Sequence, residues 1–206
     1  MFANVDALHS ELIEKDPKDF VSHYLFEPVP FAFAGDLVAW IKWKTELARG
    51  LGIDPYDIVL TGSAAIGYSL NPKKGYKPFD SSSDIDCGVI SQYHFEVAWR
   101  YLRQLRPAWL SLPPESKRAL VAHQKTYVFA GTIATDSILA LLPFGSEWQS
   151  VLDAMARRPP TTDRDIRLRI YRDYDSLRHY QASGIERLRN DLAAADAADT
   201  EISTEE

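Results

Sequence analysis

The residues of this chain best suited to chemistry are two aspartates and a glycine–serine pair. Gly62 and Ser63 follow one hydrophobic stretch, and Asp84 and Asp86 stand two positions apart at the start of another. Residues two apart in a strand share a face, so we expect both carboxylates to point together. Adjacent carboxylates repel each other unless they share a cation or a proton. Their hard oxygens suit Mg²⁺, whose coordination is completed by substrate phosphates.

The glycine–serine pair supplies the complementary groups. A turn of this kind at the start of a helix offers backbone N–H groups, a hydroxyl and the positive end of the helix dipole, which are the groups that bind a triphosphate. Together the two segments predict a phosphoryl-transfer site that works with two metal ions.

Hydrophobic patterns assign these residues to strands. Residues 57–61 predict a buried strand, 64–70 the beginning of a helix, and 84–90 a second strand whose Cys87 faces the core. Residues 71–83 predict a loop. Its three lysines are typical of a solvated loop, or alternatively contact phosphates; they are Lys73, Lys74 and Lys77.

The segment 57–90 resembles the signature of the DNA polymerase β-like nucleotidyltransferase superfamily. That signature reads hydrophobic-x-Gly-Ser-x-x-x-Gly, then Ser-Asp-hydrophobic-Asp. The resemblance implies that Asp84 and Asp86 hold Mg²⁺ or Mn²⁺, and that a third carboxylate on a neighbouring strand helps to activate the attacking hydroxyl. It further implies that the triphosphate of an NTP or dNTP is bound by four residues, namely Gly62, Ser63, Gly67 and Ser83.

Two features depart from that signature. Twenty residues separate Ser63 from Asp84, which indicates an insertion beside the nucleotide. The third carboxylate lacks a clear strand pattern, and Asp136 is the best candidate; alternatively it caps an apolar helix over 137–142. Without a third carboxylate, the chain would bind nucleotide and leave it unchanged.

The C-terminal third predicts helices. From 146 to 189 the pattern favours helices interrupted at Pro159 and Pro160. Residues 157–190 hold nine arginines and five acids, which predicts i,i+4 ion pairs on a helix surface. The alternative is that some arginines, with Tyr171 or Tyr180, face the cleft and hold triphosphate or a nucleic-acid backbone.

Composition sets the class of protein. The 206 residues are 46% hydrophobic and 25% charged, which predicts a globular protein and excludes wholesale disorder. Six of the 29 acidic residues lie in 191–206, so 1–190 carry no net charge and a polyanionic substrate remains compatible with the chain. A single cysteine excludes an internal disulfide and a cysteine-rich zinc site. No signal peptide or membrane span is indicated, so we expect a cytoplasmic protein with no membrane partner.

These patterns predict an α+β fold: a small mixed β-sheet nucleotidyltransferase core with flanking helices and a C-terminal helical segment. The expected divisions are N-terminal helices and connector over 1–34, the core over 35–145, the helical segment over 146–190 and a disordered acidic tail over 191–206.

The expected activity is transfer of a nucleoside monophosphate to a hydroxyl of a nucleic acid, nucleotide or protein, with pyrophosphate release. By resemblance, antiviral defence or a toxin–antitoxin pair with a partner protein is the favoured setting. Two alternatives remain open: an inactive nucleotide- or nucleic-acid-binding protein of the same fold, and a nucleotide-sugar transferase with an Asp-x-Asp metal site.

Overall fold

Helices surround a four-stranded mixed sheet in the computed structural model, which describes residues 2–203 without the side chains of 106–108 and 195–203. The expected α+β class with a small mixed sheet is therefore confirmed. The strands are β1 (Ile58–Thr61), β2 (Ile85–Ile90), β3 (Thr132–Ala134) and β4 (Ile166–Tyr171). The helices are α1 (Val5–Glu14), α2 (Pro17–Phe20), α3 (Leu37–Leu51), α4 (Gly62–Ile66), α5 (Gln92–Gln104), α6 (Pro114–Ala122), α7 (Gly145–Met155) and α8 (Tyr174–Ser203).

The strand order in the sheet is β1-β2-β4-β3. The central strands β2 and β4 are parallel, and each outer strand is antiparallel to its neighbour. Asp86 is paired with Thr61 on one side and with Arg167 on the other. Arg169 in turn is paired with Ala134. Paired residues share a face of the sheet, so this register sets which side chains meet.

The two faces of the sheet differ in chemistry. One face packs on the main hydrophobic core, and Cys87 lies there as expected, opposite in direction to Asp86. The other face is charged at one end, where Asp86 and Arg167 lie, and apolar at the other, where Tyr171 packs with Leu177 of α8. The open charged end is the part of the sheet available for binding.

Helix α3 begins at Leu37 and ends at Leu51. Asp36 caps it by accepting a hydrogen bond from the backbone N–H of Ala39 at 2.9 Å. Leu37 and Ile41 are exposed, whereas Trp40 and Leu47 are buried. Trp43 is also buried, and its indole N–H donates to Thr161 Oγ1 at 3.0 Å. This buried hydrogen bond ties α3 to the segment before β4.

The prediction of continuous helix after Pro160 is wrong, because residues 166–171 form β4. Ile166, Leu168 and Ile170 are buried, whereas Arg167 is exposed and Arg169 half-buried. That alternation has the period of a strand, and the expected helical i,i+4 ion pairs do not form. Since β4 lies between β2 and β3, the segment 146–190 is part of the core and not an appendage to it.

The acidic tail also differs from its prediction. Helix α8 continues to Ser203, through most of the segment 191–206 that was expected to be disordered. Its alanines favour a helix, which explains the continuation. Residues 204–206 lie outside the described residues.

The N-terminal region consists of short helices followed by a connector that packs on the core. Helices α1 and α2 meet at Pro17, a π-helical turn follows over Val21–Phe26, and Phe33 of the connector is buried in the core. None of the helices in the described part of the chain combines the length and the apolar character needed to cross a bilayer.

Candidate active site

The glycine–serine turn and the aspartates meet at one end of the sheet. Gly62 follows Thr61, whose register partner is Asp86. The backbone of Gly62 has a φ of +60°, and a Cβ built there would lie 3.0 Å from Asp86 Oδ2. Only glycine tolerates both the left-handed conformation and the close approach of this carboxylate.

A cavity of about 240 Å³ lies where these segments meet. Five of the predicted site residues line it, namely Gly62, Ser63, Ser83, Asp84 and Asp86. Lys74 and Lys77 of the inserted loop also line it, whereas Lys73 does not.

Gly67 has a structural role and does not line this cavity. It ends α4 with a φ of +90°, and a Cβ there would lie 2.8 Å from the ring of Phe31. The last glycine of the motif is explained by close packing, so its expected contact with the triphosphate is not supported.

Helix α4 starts at Gly62 and is only five residues long. The first N–H groups of a helix have no partner inside it. Thr61, at the N-cap position, makes no side-chain hydrogen bond to them. These N–H groups are therefore free of a side-chain cap at the edge of the cavity, where an anion would satisfy them.

Ser83 belongs to a hydrogen-bonded turn that fixes the start of β2. Its hydroxyl donates to Asp80 Oδ1 at 3.2 Å and accepts from the Asp80 N–H at 3.0 Å. Hydrogen bonds from Ser82, followed by one from Lys77, lower the pKa of Asp80. Arg164 donates to the carbonyl oxygen of Ser83 at 2.9 Å and ties this turn to the segment before β4.

The two aspartates have different electrostatic surroundings. Asp84 Oδ2 forms an ion pair with Arg167 Nη1 at 3.0 Å. Asp86 forms no ion pair with any residue that the structure describes. Burial, followed by repulsion from Asp84, raises the pKa of Asp86, and the positive charge of Arg167 opposes this change. Asp86 itself is exposed in β2, so solvent screens part of this effect. A divalent cation would relieve that repulsion.

Asp136 lies two residues beyond the end of β3 and is exposed. It lines a second cavity of about 300 Å³, together with Asp165 and Arg167, and not the cavity of the aspartate pair. Its charge is a minor cause of the raised pKa of Asp86. Asp136 is therefore electrostatically linked to the pair, with Arg167 between them.

Two hydrogen bonds fix the segment that leads to Asp136. Thr135 Oγ1 donates to the carbonyl oxygen of Leu168 at 2.6 Å, and the N–H of Ala134 donates to His123 Nε2 at 3.0 Å. Because His123 Nε2 accepts, its proton is on Nδ1, which donates to the carbonyl oxygen of Ala119 at 2.6 Å. Burial lowers the pKa of His123, consistent with this neutral form.

Arg167 and Arg169 are the site residues that the sequence analysis did not place. Arg169 Nη1 donates to the Tyr180 hydroxyl at 2.6 Å, and its guanidinium lies 5.7 Å from the centre of the Tyr127 ring. The alternation of isoleucine, leucine and arginine over 166–170 is the signal that identifies them. Arg169 and Tyr180 line neither of the two cavities, so their expected contact with a triphosphate or a nucleic-acid backbone stays a prediction. Tyr171 is buried, and its hydroxyl accepts a hydrogen bond from Gln181 Nε2 at 3.0 Å.

Few side chains here could hold a metal ion. Among the described residues no group of three or more histidine, cysteine, aspartate or glutamate side chains is placed to hold a metal. Asp84 and Asp86 alone provide two carboxylates, which fits Mg²⁺ when phosphate oxygens and water supply the remaining ligands. The residues therefore fit a metal that arrives with a nucleotide better than a permanently bound one.

A scan of protein families and searches of curated proteins and solved structures found no match to this chain. The class of protein that the fold defines is an α+β protein with a four-stranded mixed sheet.

Proposed function

We propose that this chain binds a nucleoside triphosphate with Mg²⁺ or Mn²⁺ and transfers the nucleoside monophosphate to a hydroxyl acceptor, releasing pyrophosphate. The supporting observation is the close approach of Gly62 to Asp86 in a cavity that Ser63 and Asp84 also line. The groups proposed to bind phosphate and the groups proposed to bind the metal line one cavity, as nucleotidyl transfer requires.

Each group has a role in this proposal. The N–H groups at the start of α4 and the Ser63 hydroxyl bind the β- and γ-phosphates, and Lys74 adds positive charge. Asp84 and Asp86 would hold the metal, which would supply positive charge to neutralise the phosphates. Asp136 accepts the proton of the attacking hydroxyl. The hydroxyl oxygen bonds to the α-phosphorus as the bond to the β-phosphate oxygen breaks, and positioning lowers most of the barrier.

The test measures pyrophosphate release from each labelled NTP and dNTP, with Mg²⁺ or Mn²⁺, over a panel of acceptors. We expect release from the natural protein, and its loss in Asp84→Ala and in Asp86→Ala. Asp175→Ala is the matched control, because Asp175 is an exposed aspartate outside this cavity. Absence of nucleotide binding by the natural protein would refute the proposal.

A second candidate function is nucleotide binding without transfer, and the position of Arg167 favours it. Arg167 is the register partner of Asp86 on the next strand, and its ion pair occupies one oxygen of Asp84. Asp136 lies on the far side of it, in another cavity. Nucleotide binding in equilibrium dialysis, with no pyrophosphate from any acceptor, would favour this candidate.

A further inference from the structure

Arg167 lies between two carboxylates that differ in surroundings. Its Nη1 atom is 3.0 Å from Asp84 Oδ2, and its Nη2 atom is 3.8 Å from Asp165 Oδ2. Asp84 lines the cavity that also holds Asp86, whereas Asp165 lines the second cavity, and 79% of its side chain is exposed. The guanidinium therefore already contacts a second partner, outside the proposed metal site.

The ion pair with Asp84 is weak enough to exchange. The Arg167 side chain is 49% exposed, and the Asp84 side chain is 25% exposed. Ion pairs in contact with water contribute little net free energy, because solvent screens them and both side chains lose rotamer freedom. A divalent cation beside Asp84 and Asp86 interacts with two carboxylates at once, so it competes effectively for the same oxygen.

We propose that Arg167 is a positioning residue that holds Asp84 in the free protein and transfers to Asp165 when a divalent cation binds. The inference rests on the proposed function, because it takes the aspartate pair as the metal site. Arg167 and the cation compete for Asp84 Oδ2 and repel each other as like charges, so each weakens the binding of the other. Arg167 thereby opposes cation binding until a triphosphate supplies further ligands.

This exchange couples the metal to the nucleotide. When a site is competent in only a fraction of molecules, its apparent affinity falls by that fraction. Mn²⁺ alone must displace Arg167, whereas Mn²⁺ with a triphosphate gains phosphate oxygens that offset this cost. We therefore expect metal and nucleotide to bind more tightly together than separately, and this cooperativity to decrease when Arg167 is removed.

The experiment titrates Mn²⁺ into the full chain without nucleotide and follows free Mn²⁺ by electron paramagnetic resonance. For Arg167→Gln we expect Mn²⁺ binding to tighten about two- to tenfold, because an ion pair and a like charge are removed. Arg172→Gln is the matched control, because it removes the same charge. Arg172 follows the opposite end of β4 and does not contact Asp84. We expect Mn²⁺ affinity to be nearly unchanged in this variant.

A double-mutant cycle tests the transfer to Asp165. Asp165→Asn removes the second partner of Arg167, so we expect Mn²⁺ to bind more weakly to this variant. In the Arg167→Gln background the same change should weaken Mn²⁺ binding less, because no guanidinium remains that could move to Asp165. Asp163→Asn, a nearby exposed aspartate, measures the general effect of losing one negative charge.

The outcomes separate this inference from the proposed function. Mn²⁺ binding that requires Asp84 but is equally tight with and without Arg167 would overturn the exchange and leave the metal site intact. An equal effect of Asp165→Asn in both backgrounds would also overturn it. If neither the natural protein nor Arg167→Gln binds Mn²⁺, with or without a triphosphate, the metal site and the exchange are both wrong. Circular dichroism melting confirms that each variant is folded.

Discussion

The two halves of the candidate site are built differently. In the β1–β2 half, Gly62, Ser63, Asp84 and Asp86 line one cavity, and they come from two segments joined by a single loop. In the β4–β3 half, Asp136 lies in a separate cavity, and Arg167 faces both halves. Under the proposed function, the first half would bind the nucleotide, whereas the second would determine whether bound nucleotide reacts.

The difference also concerns how each half is held in place. The β1–β2 half depends on close packing, because Gly62 must leave room for an aspartate oxygen. The β4–β3 half depends on buried hydrogen bonds, because His123 and Thr135 fix the strand end that leads to Asp136. Substitutions in the two halves should therefore act through different causes, which are steric clash in the first half and lost hydrogen bonds in the second.

The first prediction concerns Gly62→Ala, which should impair both stability and nucleotide binding. Its Cβ would be forced against Asp86 Oδ2 at a backbone conformation that alanine disfavours, which costs about 1–3 kcal/mol of stability. We expect nucleotide affinity, measured by isothermal titration calorimetry, to fall at least about tenfold, which corresponds to about 1.4 kcal/mol.

Gly52→Ala is the matched control for that prediction. Gly52 has a φ of +69°, and no atom lies within 4 Å of the position that a Cβ would occupy, so alanine there adds backbone strain without a clash. We expect a loss of stability with normal nucleotide affinity. Equal affinity losses in both variants would contradict the proposed contact between the turn and the aspartate.

The second prediction concerns Asp136→Asn, which removes the proposed proton acceptor from the β4–β3 half. We expect pyrophosphate release to slow about 10²-fold or more, the usual contribution of a general base, while the nucleotide Kd changes less than about twofold. Asp153→Asn removes another exposed carboxylate from the same cavity and should have little effect. Unchanged release in Asp136→Asn would favour binding without transfer.

The third prediction is a pH dependence of stability that arises from His123. Its pKa is lowered by burial, so the folded state resists protonation and stability falls as the pH drops below about 6.5. The loss has a slope of up to about 1.4 kcal/mol per pH unit. His94 acts in the same direction, because burial lowers its pKa as well.

Urea unfolding of His123→Gln at pH 7.5 and pH 5.5 separates the two histidines. At pH 7.5 we expect the variant to be about 1–3 kcal/mol less stable than the natural protein, because buried backbone groups lose their partner. Between the two pH values it should lose less stability than the natural protein. Identical pH dependence in both proteins would assign the effect to His94.

The smallest effect is a gain in stability for Asp86→Asn. Because the pKa of Asp86 is raised, its ionised form destabilises the folded state near pH 7, and removing the charge relieves this. We expect the melting temperature to rise by about 2–4 °C for each kcal/mol of destabilisation that the substitution removes. The gain should shrink as the pH falls toward the ordinary aspartate pKa of about 3.9.

Asp84→Asn completes the comparison between the two aspartates. It removes the partner of Arg167, so we expect no gain in melting temperature under the same conditions. A gain of equal size in both variants would show that the ion pair does not distinguish Asp84 from Asp86.

Part of the site follows from local sequence. Strand β1 ends just before Gly62 and strand β2 begins just after Asp84, so the two are close in the chain and their patterns have the correct period. Arg167 was missed because its segment was interpreted with a helical period, although isoleucine and leucine alternate with arginine there. Asp136 was identified from the sequence, but its separation from the aspartate pair depends on where β4 lies in the sheet.

By itself the sequence determined the α+β class, the two strands that bear the aspartates and the glycine–serine turn, and the buried position of Cys87. These depend on side-chain periodicity and turn chemistry over a few residues. Only the tertiary structure decided that β4 lies between β2 and β3, which places Arg167 beside Asp84 and separates Asp136 from the pair. The physical reason is that burial across the whole sheet decides which strands become neighbours. No local pattern indicates a contact between residues that lie about 80 positions apart in the chain.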